Sequence, residues 1–177
     1  LFGSKLEYED TIHDIDADQT GWSLLCDSFK GSSIEELILC DVGMGVNGVA
    51  SLADAIKFMA AVARLILNEN PLTGGRRSTD FDTDITGITA LCDTLKTSSV
   101  TELGLAKCRL GPGSLGKLAE YVRDADAALT SINCLANQFG EDDLATLLTA
   151  IENTSVRSLC GLTEGQTTAN FSRQNLG

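Results

Sequence analysis

Aromatic side chains are scarce in this chain, at 5% of its residues, with one tryptophan. Two prolines and one histidine are the other shortages. A core of bulky rings is therefore excluded. The apolar fraction, 43%, is ordinary for a folded protein, and its Leu, Ile, Val and Ala suit stacked small units. Cationic residues are few as well: 13 Lys and Arg face 25 Asp and Glu, for a net charge of -12. Such a surface repels phosphate, which excludes nucleic acid and anionic membrane as expected partners. No apolar run nears the roughly 20 residues that span a bilayer. The best, Phe58 to Ala63, stops at Arg64. The six cysteines, at 26, 40, 92, 108, 134 and 160, form no C-x-x-C, so with a single histidine no metal site is expected. A basic-then-apolar leader is also missing, and a chain opening on Leu1 is expected to be a fragment or a processed product.

What is present is a recurring pattern. Val100 to Leu110 reads V-T-E-L-G-L-A-K-C-R-L, with apolar residues at Val100, Leu103, Leu105 and Leu110 and with Cys108 between the last two. Used as a ruler, this stretch finds copies at Ile34-Leu37-Leu39, Val62-Leu65-Leu67, Leu129-Ile132-Cys134 and Val156-Leu159. From Leu37 to Leu65 is 28 residues, to Leu103 a further 38, to Ile132 a further 29 and to Leu159 a further 27. The long step is one repeat with about ten residues inserted, and the others fit a repeat of 20–29 residues.

Between the strands runs a second pattern. Trp22, Leu25, Cys26 and Phe29 are spaced i, i+3, i+4, i+7; so are Val49, Leu52, Ala53 and Ile56, and Ile88, Leu91, Cys92 and Leu95. Leu115, Leu118, Ala119 and Val122 repeat the spacing, as do Leu144, Leu147, Leu148 and Ile151. Each set is the apolar stripe of an amphipathic helix. The third position is small in most copies, where a helix lies close on its strand. Two copies also match residue for residue: L-C-D-S-F-K-G-S-S-I-E-E-L-I-L from Leu25 parallels L-C-D-T-L-K-T-S-S-V-T-E-L-G-L from Leu91, which implies duplication.

The spacing L-x-x-L-x-L-x-x-N/C-x-L, with a full helix in every copy, resembles the ribonuclease-inhibitor-like class of leucine-rich repeat proteins, and is similar to such proteins from single-celled eukaryotes. The resemblance covers roughly Trp22 to Leu176. It implies an α/β solenoid, a curved horseshoe with a parallel sheet on the concave face and helices on the convex face. On this reading residues 1–21 are an irregular cap with a degenerate strand near Ile12 to Ile15. Residues 22–177 are one domain of five to six repeats, 73–85 is an insertion loop, and 156–177 is a degenerate final repeat with a strand-like piece at Ala169, Phe171 and Leu176. Val42 stands where the family pattern wants Asn or Cys, which predicts a looser turn there. An incomplete last repeat leaves an uncovered end and predicts a homodimer through it.

Several motifs imitate chemistry. Gly43-x-Gly45-x-x-Gly48 follows a strand, precedes a helix and has Glu69 some twenty residues on, which is the context of a dinucleotide fingerprint. Gly45 aligns with Gly111 and Gly140 of other copies, so a repeat turn is the favoured account and no cofactor is expected. Asp16-x-Asp18-x-Thr20-Gly21 with Asp27 resembles a calcium loop but lacks its apolar position and its final Glu. Asp80, Asp82 and Asp84 alternate similarly, with Ile85 where that loop needs glycine.

The candidate site is a surface. Side chains alternate along a strand, so those between the core leucines face away from the core. These are Glu36, Ile38, Cys40 and Asp41; Arg64, Ile66, Asn68 and Glu69; Glu102, Ala106 and Lys107; Ser131, Asn133 and Leu135; and Arg157 with Cys160. Ile38, Ile66 and Leu135 form an apolar strip within a polar rim, the composition of a protein-binding face. The insertion, with Arg76, Arg77 and Phe81 in an acidic chain, is expected to be a mobile solvated loop, with a partner contact as the alternative. The expected function is a non-enzymatic module binding a protein through the concave sheet. The alternatives are a GTPase-activating regulator, since similar repeats build the Ran GTPase-activating proteins, or the sensing part of a larger receptor. Cysteines in core positions point to a reduced, intracellular (cytoplasmic) setting.

Overall fold

Strand and helix alternate along the chain in a computed structural model, which describes residues 5–7, 11–13, 15–77, 79–124, 128–162 and 165–168. Strands β1 (Lys5–Glu7) and β2 (Thr11–His13) pair antiparallel. There follow α1 (Gln19–Phe29), β3 (Glu36–Ile38), α2 (Val46–Ile56), β4 (Arg64–Ile66), α3 (Thr86–Leu95), β5 (Glu102–Gly104), α4 (Pro112–Asp124), β6 (Ser131–Asn133) and α5 (Glu141–Ile151). The strands β3 to β6 form one parallel sheet in sequence order. The protein is therefore α/β, with a four-stranded parallel sheet and five helices among the described residues. The strand expected near Ile12 lies instead in the separate two-stranded sheet, because β2 pairs back on β1. The strand-like piece expected at 169–176 lies outside the described residues.

The register places Leu37, Leu65, Leu103 and Ile132 side by side. All four are buried, as are Val49, Leu52, Ile88, Leu91, Leu115, Leu118 and Leu147 from the helices, in one continuous core. Three of the four residues in most expected stripes, or all four, are buried. In α5 only Leu147 is. Leu144 and Leu148 are 38% and 52% exposed, because no further helix packs beyond α5 among the described residues. The sheet does continue past β6 as a frayed pairing, with Ser131 opposite Ser158 and Asn133 opposite Cys160.

Four residues after each core strand position the backbone turns left-handed: Asp41, Glu69, Lys107 and Ala136 have φ of 51, 63, 55 and 55°. The following residue then reaches inward. Asn70, fully buried, accepts from the amides of Val42 (3.0 Å) and Met44 (3.1 Å) and donates to the carbonyls of Leu39 (2.6 Å) and Leu67 (2.8 Å). Asn137 repeats this two strands along, accepting from Cys108 and Leu110 and donating to Leu105 and Cys134. Each asparagine thus closes the turn of the strand before its own. This corrects the expectation at Val42, whose amide is held by Asn70 from the neighbouring strand. The turn that lacks such an acceptor is the one at Asn70 to Leu72, since Cys108 supplies only a thiol, donating to Leu67 O at 3.2 Å; Leu72 N turns to Asn70 O instead.

Candidate interaction surface

The segment 73–85 is tied to the body of the protein. Thr73 Oγ1 donates to Arg109 O at 2.8 Å, and Asp84 N to Thr73 O at 3.0 Å. Asp82 accepts from Gly111 N (2.8 Å), from Ser114 N (3.1 Å) and from the Ser114 hydroxyl, closing the start of α4. Arg76 and Arg77 are exposed at its tip, and Phe81 is half-buried against Gly111. Asp16 does for α2 what Asp82 does for α4: it accepts from Gly45 N (2.8 Å), Gly48 N (3.0 Å) and Asn47 N (2.8 Å). A carboxylate suits the amides and the positive dipole of a helix start. These contacts give two of the motifs a local structural role. In the glycine fingerprint the amides of Gly45, Asn47 and Gly48 are taken by Asp16 and that of Met44 by Asn70. Among the alternating aspartates, Asp18 caps α1 by accepting from Gly21 N, Asp84 accepts from Thr86 N just before α3, and Asp80 accepts from Arg77 N within the segment. Among the described residues no group of three or more His, Cys, Asp or Glu is placed to hold a metal ion.

On the face of the sheet away from the core, strand register sorts the predicted residues into rows. The first is Glu36, Arg64, Glu102 and Ser131; the second is Ile38, Ile66, Gly104 and Asn133. The ladder continues past the strands, with Asp41 N donating to Asn68 O, Glu69 N to Ala106 O and Lys107 N to Leu135 O. That aligns a third row, Cys40, Asn68, Ala106 and Leu135, and the left-handed Asp41, Glu69 and Lys107 at its rim. Arg64 binds the Glu36 carboxylate through one guanidinium nitrogen and Glu102 Oε2 through Nε at 3.0 Å, so one cation bridges three strands. All three side chains are substantially exposed, and the bridges are worth less than their geometry suggests. Ile38, at the free edge of the sheet, is 53% exposed, while Ile66 and Leu135 are half-buried. Ala106 is fully buried. Arg157 stands outside the rows. Its guanidinium turns back onto the carbonyls of Thr154 and Val156, behind α5.

Gly104 is the feature that counting strand positions passed over. It leaves a gap in the second row, where a cavity of about 100 Å³ opens between Arg64, Ile66, Asn68, Glu102, Ser131 and Asn133. A wider, shallower depression of about 610 Å³ lies between α4 and α5, against Ala119, Arg123, Thr146, Thr149 and Asn153. No predicted residue touches it.

All six cysteines are free thiols. Burial pushes Cys92 and Cys108 up to about 12 and Cys26 and Cys134 up to about 11. Cys40, the exposed one, is also raised by partial desolvation. Helices of the described residues are all too short or too polar to cross a membrane.

No protein-family model and no curated protein matches the chain. Among solved structures, a domain titled "Leiomodin-1 Actin-Binding Site 2 (ABS2)" is similar in fold. It has a TM-score of 0.60 and 13% identity, covering 81% of this chain and 79% of that one. At that identity the likeness is one of architecture.

Proposed function

We propose that the chain is a leucine-rich repeat solenoid of the ribonuclease-inhibitor-like class, acting as a non-enzymatic module that binds a protein through its concave sheet. The observation that carries the reading is the pair of rows Glu36–Arg64–Glu102 and Ile38–Ile66–Gly104, three strands wide, in which exposed Ile38 and half-buried Ile66 lie beside a line of charge. The turn asparagines support the repeat assignment, because Asn70 and Asn137 fill the position that the pattern reserves for them. The protein is read as intracellular, with its buried thiols kept reduced. Its partner is protein, and the exposed Leu144 and Leu148 at the last helix offer a contact for a second copy of the chain.

The test is affinity capture with the wild-type chain and with Arg64→Glu and Ile66→Asp, both checked for retained helical signal. Loss of a captured protein with either variant supports the concave face; capture unaffected by both removes it. Two further assays divide the alternatives. Stimulation of nucleotide hydrolysis by a small GTPase would replace this reading with a regulatory one. Filamentous actin is a useful probe in co-sedimentation, because the solved domain of similar fold carries an actin-binding title.

A further inference from the structure

The gap at Gly104 is chemically particular. Asn68 and Asn133 flank it, and each has its side-chain oxygen committed: Asn68 Oδ1 accepts from Ala106 N at 2.9 Å, and Asn133 Oδ1 from Leu135 N at 3.2 Å. Those backbone donors fix which way round each amide sits. The Nδ2 groups are left without an acceptor among the described residues. Glu102, which lines the same cavity, takes the Arg64 bond on Oε2, and no bond among the described residues occupies its Oε1. Two amide donors and one carboxylate thus belong to the residues that line a space floored by a glycine.

Each class of side chain can be tested against that set. A carboxylate would meet the two amide donors but also Glu102. A lysine or arginine would meet Glu102 but also Arg64 and the two Nδ2 groups. An aliphatic group would leave all three polar groups unpaired, at the cost of their desolvation. A primary carboxamide satisfies the whole set, since its oxygen accepts from the asparagine amides and its NH2 donates to Glu102 Oε1. We propose that the Gly104 cavity is a specificity pocket for an Asn or Gln side chain on the protein segment that crosses the concave sheet. This rests on the concave-face reading above.

The experiment is selection of a random peptide library displayed on phage against the wild-type chain, with Arg64→Glu as the counter-selected bait. Selected peptides are expected to share an Asn or Gln at one position, and replacing it by Ala should weaken binding about tenfold, as loss of a hydrogen-bonded group of roughly 1.4 kcal/mol would. Gly104→Leu fills the cavity and is expected to remove the preference. A Cβ at 104 comes within 2.9 Å of Asn68 Oδ1 and Ile66 Cγ2, so a second variant guards against misfolding. Glu102→Gln removes the negative charge while keeping shape, and is expected to admit Asp and Glu at the selected position beside Asn and Gln. Peptides that need Arg64 and Ile38 but carry apolar or basic residues at the shared position would overturn the pocket and leave the concave face standing. If no selected peptide depends on Arg64 or Ile38, both fall together.

Discussion

Asp16 and Asp82 perform one task at two places. Each has a positive φ, 56° and 49°, and each lays its carboxylate across the first amides of a helix belonging to the next strand–helix unit. Their backbone amides match too, Asp16 N donating to Gly43 O and Asp82 N to Arg109 O. Residues 16 and 82 are 66 apart, as are Leu25 and Leu91. The duplication therefore extends back through D-I-D-A-D-Q-T-G at 14–21 and D-F-D-T-D-I-T-G at 80–87.

Removing that carboxylate should loosen a helix and the segment together. Asp82→Ala is expected to destabilise the protein by about 1–2 kcal/mol, the usual cost of a lost cap, and to make 73–85 the first site of limited proteolysis. Urea unfolding and cleavage mapping would check both. A variant as stable and as resistant as the wild type would show that the segment is held by other contacts.

Asn70 and Cys108 occupy equivalent turn positions with unequal chemistry. Asn70→Ala strands two amides and two carbonyls in a buried place and should cost at least about 2 kcal/mol. Cys108→Asn supplies the acceptor that the Asn70–Leu72 turn lacks and is expected to raise stability by about 1 kcal/mol. Thermal melts of the two variants should move in opposite directions.

The thiols should sort by burial. Under brief alkylation at mildly alkaline pH, Cys40 reacts first, and Cys92 and Cys108 react only in denaturant, as peptide mass mapping would show. Linkage gives a second readout. The unfolded thiols ionise near 9.0, while burial holds Cys92 and Cys108 protonated up to about 12. Above pH 9 the unfolded state thus carries fewer protons, so stability is full below that pH and falls as pH rises toward 12. Cys92→Ala should flatten that decline in alkaline unfolding curves.

Neighbouring leucines of α5 should behave oppositely. Leu147→Ala empties a buried site and is expected to cost about 2–5 kcal/mol. Leu148→Gln alters an exposed one and should stay within about 0.5 kcal/mol. If Leu148→Gln instead destabilises in a way that depends on protein concentration, sedimentation would reveal the second copy covering it.

Periodicity made the strands and helices legible because burial repeats with them. Leu37, Leu65, Leu103 and Ile132 are core for the reason their spacing announces. The same spacing misjudged Leu144 and Leu148, because a stripe shows what a helix can bury and not whether a neighbour is there to bury it. Asp82 was hidden inside an apparent insertion, since a carboxylate cap is recognisable only once its helix has been located in space. Gly104 was hidden by its lack of a side chain. Rows of residues around the gap became visible only when three strands were set in register. The asparagine contacts lay between those extremes: the residue type was readable, but the direction of its reach was not.

That direction has a consequence for how the molecule comes apart. The asparagine clasps reach back toward the N-terminus, onto the preceding turn, whereas the aspartate clasps reach forward, onto the following helix. Peeling either end away therefore strips a bond from the portion that remains. Such a chain resists fraying unit by unit, and its unfolding is drawn toward a single cooperative event in spite of its modular build.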